Sequence, residues 1–221
     1  MFNKLFIFFF FSISISFSQG ELPTGVIKFL TDESNINKSL NDEDNVKGSK
    51  YATDDFIDAK INPFGDRIFQ VRYDAVEDQI EVLKSKGEVI VLDKTNSKIQ
   101  IQTQDKTYIL INQSYFIELF KSDKFNIFKK EYKKLNPKIA PRTSYDKGTA
   151  AHYDSKLSEN FFIQFKDNIE LIEFDKKTKS VIKLFPTYKN DIKTYEKNNS
   201  LNLKEGKDLV SLFKHLSEII E

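Results

Sequence analysis

Between Asp58 and Leu135, a ladder of short apolar runs is divided by turn residues. Phe69, Val71 and Tyr73 alternate with Gln70 and Arg72, Ile80 and Val82 with Gln79 and Glu81, and Ile99 and Ile101 with Gln100 and Gln102. A period of two places one set of side chains on a buried face and the other in water. Strands this short, at this even spacing, imply an antiparallel meander. The pattern predicts strands over 58–61, 67–73, 79–84, 88–92, 98–103, 107–112 and 115–120. The turns between them carry Pro63 and Gly65, then Ala75 to Asp78, then Ser85 to Gly87. Glu88 to Leu92 is apolar at both parities, which predicts the most central strand.

Past Phe120 the signals mix. Phe125, Phe128, Tyr132 and Leu135 stand at helical spacing, yet they are aromatic and continue the ladder, so a long strand with its lysines in water is the expectation. From Asn136 to Asp154 two prolines and one glycine forbid a continuous helix or a central strand. A loop of that length is usually either functional or disordered. A hairpin should follow, with Phe161 to Phe165 and Ile169 to Phe174 as its arms.

The chain then turns helical. Asp175 is placed to cap a helix carrying Val181, Ile182 and Leu184 and stopped by Pro186. Tyr188, Ile192 and Tyr195 share one face of a second helix that dissolves at Asn198-Asn199-Ser200. Leu209, Leu212, Phe213, Leu216 and Ile220 stripe a third. Its polar face is not strongly basic, so docking on the protein's own sheet is expected over a membrane surface. The fold class is therefore α+β: a long antiparallel β-meander, free to curl toward a barrel, followed by two to three C-terminal helices.

Residues 1–18 (MFNKLFIFFFFSISISFS) have a cationic start at Lys4, an apolar run and small residues at Ser16 and Ser18, the three parts of a secretory signal cut before Gln19. The strongly apolar part is too short to span a bilayer, which takes about 20 residues. Residues 19–50 are polar except for Val26 to Leu30, so a mobile leader is expected, with that island as an edge strand. The β-rich domain then covers 51–174 and the helical segment 175–221.

Charge and residue inventory exclude several chemistries. The chain carries 34 Lys and Arg against 33 Asp and Glu and has no cysteine. The absence of cysteine rules out disulfides, thiolate nucleophiles, cysteine-held metal centres and a lipidated N-terminal cysteine, so the exported chain is not a lipoprotein. The balance is local as well as global: residues 31–58 hold eight acids and three lysines, residues 121–138 seven lysines and two acids. Two solvated surfaces account for both. The basic stretch with its interleaved aromatics resembles a single-strand platform, but an exported protein meets polyanionic glycan sooner than nucleic acid. His152 and His215 are the only histidines, and no HExxH, GxSxG, GxGxxG or GxxxxGK pattern occurs. Asp42-Glu43-Asp44, Asp54-Asp55 and Glu77-Asp78 lack the spacing of a calcium loop. No catalytic residue, metal ligand or cofactor is expected from these patterns. The surface candidates are Arg72 and Tyr73 in the ladder and Tyr145, Asp146 and Lys147 in the long loop. Arg72 can hold a carboxylate from a ligand, or pair across the strands with Glu81; the pairing is expected.

Four segments taken together, GSKYATDDF, IFQVRYDAVEDQIEV, TSYDKGTAAHYD and IKLFPTYKNDIKTYEKNNSLNLKEGKDLVSLFKHL, are similar to a family of exported proteins from Bacteroidetes-type bacteria. The resemblance implies export and the β-then-α layout, and it lends no site residue. The expected function is a non-enzymatic envelope protein, periplasmic or extracellular, that binds a protein partner or a glycan and has no transmembrane segment after signal removal. The alternative is a hydrolase that attacks an envelope polymer with paired carboxylates.

Overall fold

A computed structural model describes residues 46–84, 87–95, 98–143 and 145–220. The expected signal sequence, its expected cleavage point and the Val26–Leu30 island lie outside the described residues. Alternation translates into strands as expected. In β2 (Ile68–Asp74), Phe69, Val71 and Tyr73 are buried, while Ile68 and Gln70 face water. β1 (Ile57–Asn62) buries Ala59 and Ile61, and β5 (Gln100–Thr103) buries Ile101 and Thr103. β3 (Gln79–Leu83), β4 (Val89–Val91), β6 (Thr107–Ile111) and β7 (Ser114–Lys121) complete the ladder.

The stretch with helical spacing is a strand. β8 (Phe125–Tyr132) buries Phe125 and Ile127 in one core, with Phe128 on the opposite parity beside Phe116 and Phe162. Its lysines do not simply face water. Lys129 lies 2.7 Å from Glu131, and Lys130 lies 3.2 Å from Asp78. β11 (Ser158–Phe165) and β12 (Ile172–Phe174) form the expected hairpin.

Ten strands make one antiparallel sheet in the order β12-β11-β8-β7-β6-β5-β1-β2-β3-β4. The chain runs β1 to β4 as a meander, then returns so that β5 pairs with the free side of β1, Lys60 opposite Gln102. The return makes β4 an edge strand, against the expectation that it is central. Only Ile90 and the following Leu92 are buried there, with Val89 and Val91 half-buried on the other face. β-branched content signalled a strand correctly but carried no information about its neighbours.

The sheet is strongly curled. In a flat sheet β2 and β6, three steps apart, would lie about 14 Å from each other. Yet the rings of Tyr73 and Tyr108 are 5.4 Å apart, and the Lys133 N–H donates to Ala75 O at 2.9 Å, joining the end of β8 to the β2–β3 turn. The curl wraps one core around Ile61, Val71, Ile80, Val82, Ile99, Ile101 and Leu110. Among the described residues no strand pair closes it, so the sheet is not closed into a barrel.

Where the curl leaves β8, β11 and β12 uncovered, the helices lie. α1 (Thr178–Leu184), α2 (Lys189–Asn198) and α3 (Gly206–Ile219) follow the strands, with a 3-10 turn at Pro186–Tyr188. Leu209, Leu212, Phe213 and Leu216 of α3 are fully buried against Phe125, Phe161, Ile163 and Phe174, so the stripe docks on the sheet as expected. At roughly 1.5–3 kcal/mol per fully buried side chain, those four hold α3 on the sheet. Leu119 touches both cores and joins them. Asp175 does not cap α1. Lys177 occupies that position, and the Asp175 N–H donates to Ser180 Oγ at 3.1 Å instead. No helix among the described residues is long and apolar enough to cross a membrane.

Candidate functional site

The expected leader joins the domain before Lys50. The Lys47 N–H donates to Ala151 O and the Tyr153 N–H to Lys47 O, each at 2.9 Å, while Lys50 is buried with its Nζ 3.2 Å from Asp74. Lys133 Nζ donates to the carbonyls of Ser49 and Tyr51 at 3.0 and 2.7 Å. Residues 46–56 thus form a strap over β2 and β3.

Arg72 pins that strap. It stands opposite Glu81 in the β2–β3 register, and its Nη2 and Nε donate to Glu81 Oε2 at 2.7 and 3.2 Å. Its guanidinium lies 3.4 Å from the ring centre of Tyr51 and 4.4 Å from that of Phe56. Two rings contact the guanidinium, its Nε and Nη2 are taken by Glu81 and its Nη1 donates to Asp54 O at 3.2 Å, so the expected cross-strand pairing is formed. The Tyr51 hydroxyl also donates to Glu81, at 3.2 Å. Burial, then the Glu81 charge, pushes Tyr51 up to about 12.

Tyr73 is a core residue, not a surface one. Alternation put it on the buried parity of β2, and only 5% of it is exposed. Its hydroxyl lies 2.8 Å from Asp78 Oδ1 and 3.0 Å from Glu131 O, two acceptors sharing one phenolic proton. Asp78 Oδ2 faces Lys130 at 3.2 Å and Lys94 at 3.6 Å. Glu131, 3% exposed, takes Lys106 and Lys129; Lys129 in turn holds Glu159, which holds Lys176. Burial raises the Glu159 carboxyl, but hydrogen bonds and charge from Lys129 and Lys176 outweigh it and hold the group low. The buried acids Asp74, Glu81 and Glu131, together with Asp78, each have a cationic partner, as groups that carry structure do.

The long loop is a built hairpin. β9 (Leu135–Asn136) pairs with β10 (His152–Tyr153), and the N–H groups of Ile139 and Thr149 donate to each other's carbonyls at 2.9 Å. Asp146 shapes the tip: its carboxylate accepts from the N–H of Gly148 at 2.8 Å and of Arg142 at 3.1 Å. Those two bonds, the Gly148 one first, lower its pKa. Gly148 has φ +63°, and a Cβ there would sit 2.4 Å from Ile139 O, so only glycine fits. Tyr145, 98% exposed, and Lys147 project from this frame. Tyr145, Asp146 and Lys147 are thus brought together at one tip, and Arg72 and Tyr73 belong to a separate, internal network.

His152 Nδ1 contacts Ala150 O at 3.0 Å, and His215 stacks on Tyr195 with ring centres 4.0 Å apart. Among the described residues no group of three or more His, Asp or Glu is placed to hold a metal ion. One surface was not singled out in the sequence. Lys60, Asn62, Gln100, Gln102 and Thr107, with Gly65, line an open groove of about 340 Å³ on the wet face of β1, β5 and β6. The polar half of the alternation marked these residues; the β1–β5 pairing that brings them together is non-local. Comparison of the chain with protein-family models, with curated proteins and with solved structures gave no match.

Proposed function

We propose that the protein is an exported, non-enzymatic envelope module that binds a protein partner or an acidic glycan through the tip of the 135–153 hairpin. One observation carries this reading. Among the described residues six large apolar side chains are exposed, and three of them, Leu135, Ile139 and Tyr145, stand on this hairpin. Lys138, Arg142 and Lys147 are exposed along the same stretch. An aromatic and an arginine on a preorganised frame are the residue types that dominate binding energy at interfaces, and the cations select a partner that is acidic.

Sedimentation of the purified protein with insoluble cell envelope tests it. Tyr145→Ala and Lys147→Glu should each release the protein into the supernatant at an unchanged unfolding midpoint. Full retention of both variants refutes the assignment to the tip. Retention that only Lys147→Glu abolishes, and that added salt also abolishes, identifies the ligand as acidic glycan by its screened electrostatics.

A further inference from the structure

The sheet ends on β4, and its outer edge is bare among the described residues. The Leu92 N–H donates to Ile80 O at 2.9 Å and the Lys84 N–H to Glu88 O at 2.7 Å. With Val82 opposite Ile90, these bonds turn the backbone groups of Glu88, Ile90 and Leu92 toward β3. The N–H and C=O of Val89 and Val91 therefore point away from the sheet. Val89, Ile90 and Val91 are three β-branched residues with no charge and no proline. The strand at the other end, β12, carries a charge within its length, Glu173, whereas the charges beside β4, Glu88 and Asp93, stand outside its three residues.

We propose that β4 pairs antiparallel with β4 of a second copy about a two-fold axis at Ile90, continuing the sheet from one molecule into the next. The hydrogen-bond phase fits this occupant. An axis at Ile90 sets Val89 of one copy opposite Val91 of the other, and these are the residues whose backbone groups face outward. Each such pair exchanges two bonds, giving four across the axis. The same register sets Glu88 opposite Leu92, so like charges never meet. Ile90 continues the buried row, and the half-buried Val89 and Val91 gain cover on the other face. An interface this small gives association that depends on concentration.

Sedimentation velocity from about 1 µM to about 1 mM should show a monomer–dimer equilibrium, with Val89 and Val91 amide exchange slowing as concentration rises. Val91→Pro removes a donor that points out of the edge, where proline is tolerated. It deletes two of the four bonds and should weaken dimerisation about thirtyfold. Should Val91→Pro shift the unfolding midpoint, Val89→Lys decides in its place, because it leaves the backbone intact and sets two like charges diagonally across the axis on one face, about 7–8 Å apart. A monomer over the whole range overturns the proposal, whether its edge amides are open or are protected by the molecule's own chain. A dimer that neither variant weakens overturns it too. Envelope retention through Tyr145 is independent of Val91→Pro, so the two readings fail separately.

Discussion

Phe213→Ala offers the sharpest test of how the helices are held. The Phe213 ring is fully buried, with ring centres of Phe174, Phe125 and Phe185 at 5.3, 5.8 and 6.2 Å. Each of those rings belongs to a different segment, β12, β8 and the start of the 3-10 turn, and each is tied by its own backbone. The loss should therefore fall in the range for buried aromatics, about 3–5 kcal/mol, with edge-on ring pairs adding to the lost burial. With a urea slope of about 2 kcal/mol per M, the midpoint drops by about 1.5–2.5 M. Thermal unfolding moves down by about 6–20 °C. Equilibrium urea denaturation followed by far-UV circular dichroism measures it, with Phe213→Leu as a milder companion that keeps most of the burial. A midpoint within about 0.3 M of the parent would show that α3 does not rest on the sheet through this ring.

The remaining predictions concern the hairpin, the strap and alkaline pH. Gly148→Ala places a methyl group 2.4 Å from Ile139 O and should abolish envelope retention while the global unfolding free energy changes by under about 1 kcal/mol, since the tip is peripheral; unchanged retention counts against a preorganised tip. Arg72→Ala uncovers Tyr51 and Phe56 and leaves Glu81, whose side chain is 9% exposed, without its main partner. It should cost about 2–4 kcal/mol and open a protease cut between Lys47 and Phe56; an intact strap under limited trypsin digestion contradicts that. Burial, and then Asp78, raises Tyr73 and Tyr115, and burial followed by Glu131 raises Tyr108. A raised group contributes fully below the unfolded pKa and loses that contribution as pH climbs toward the folded one. Stability should thus fall above pH ~10 by roughly 1.4 kcal/mol per pH unit for each of the three. A urea midpoint that stays flat from pH ~9 to ~11.5 rejects it.

Period-two alternation made most of the strands legible because each strand buries one face, and that requirement acts on neighbouring residues alone. Phe69, Val71 and Tyr73 show it cleanly. Strand order was not legible. Whether β5 returns to β1 or continues from β4 is decided by which apolar faces can close over one another, and Glu88 to Leu92 reads alike in either position. Helical spacing in β8 was a coincidence of two faces that are both apolar, with Phe125 and Ile127 on one side and Phe128 on the other. At the site, Tyr145 to Lys147 were visible because prolines and a glycine interrupt the pattern around them. Tyr73 was misplaced among the surface candidates although its own parity already marked it as buried. The groove on β1, β5 and β6 needed the register itself.

The pairing of β1 with β5 also fixes when the molecule can fold. Lys60 has to wait for Gln102, and Tyr73 for Tyr108 and Glu131. A nascent chain that has reached Asp93 holds four strands with two raw edges and an apolar face whose other wall has yet to be made. Closing such distant contacts carries loop entropy before it returns any burial. The first four strands should therefore remain uncommitted until β7 and β8 exist, and a fragment ending near Asp93 should aggregate where the whole chain folds.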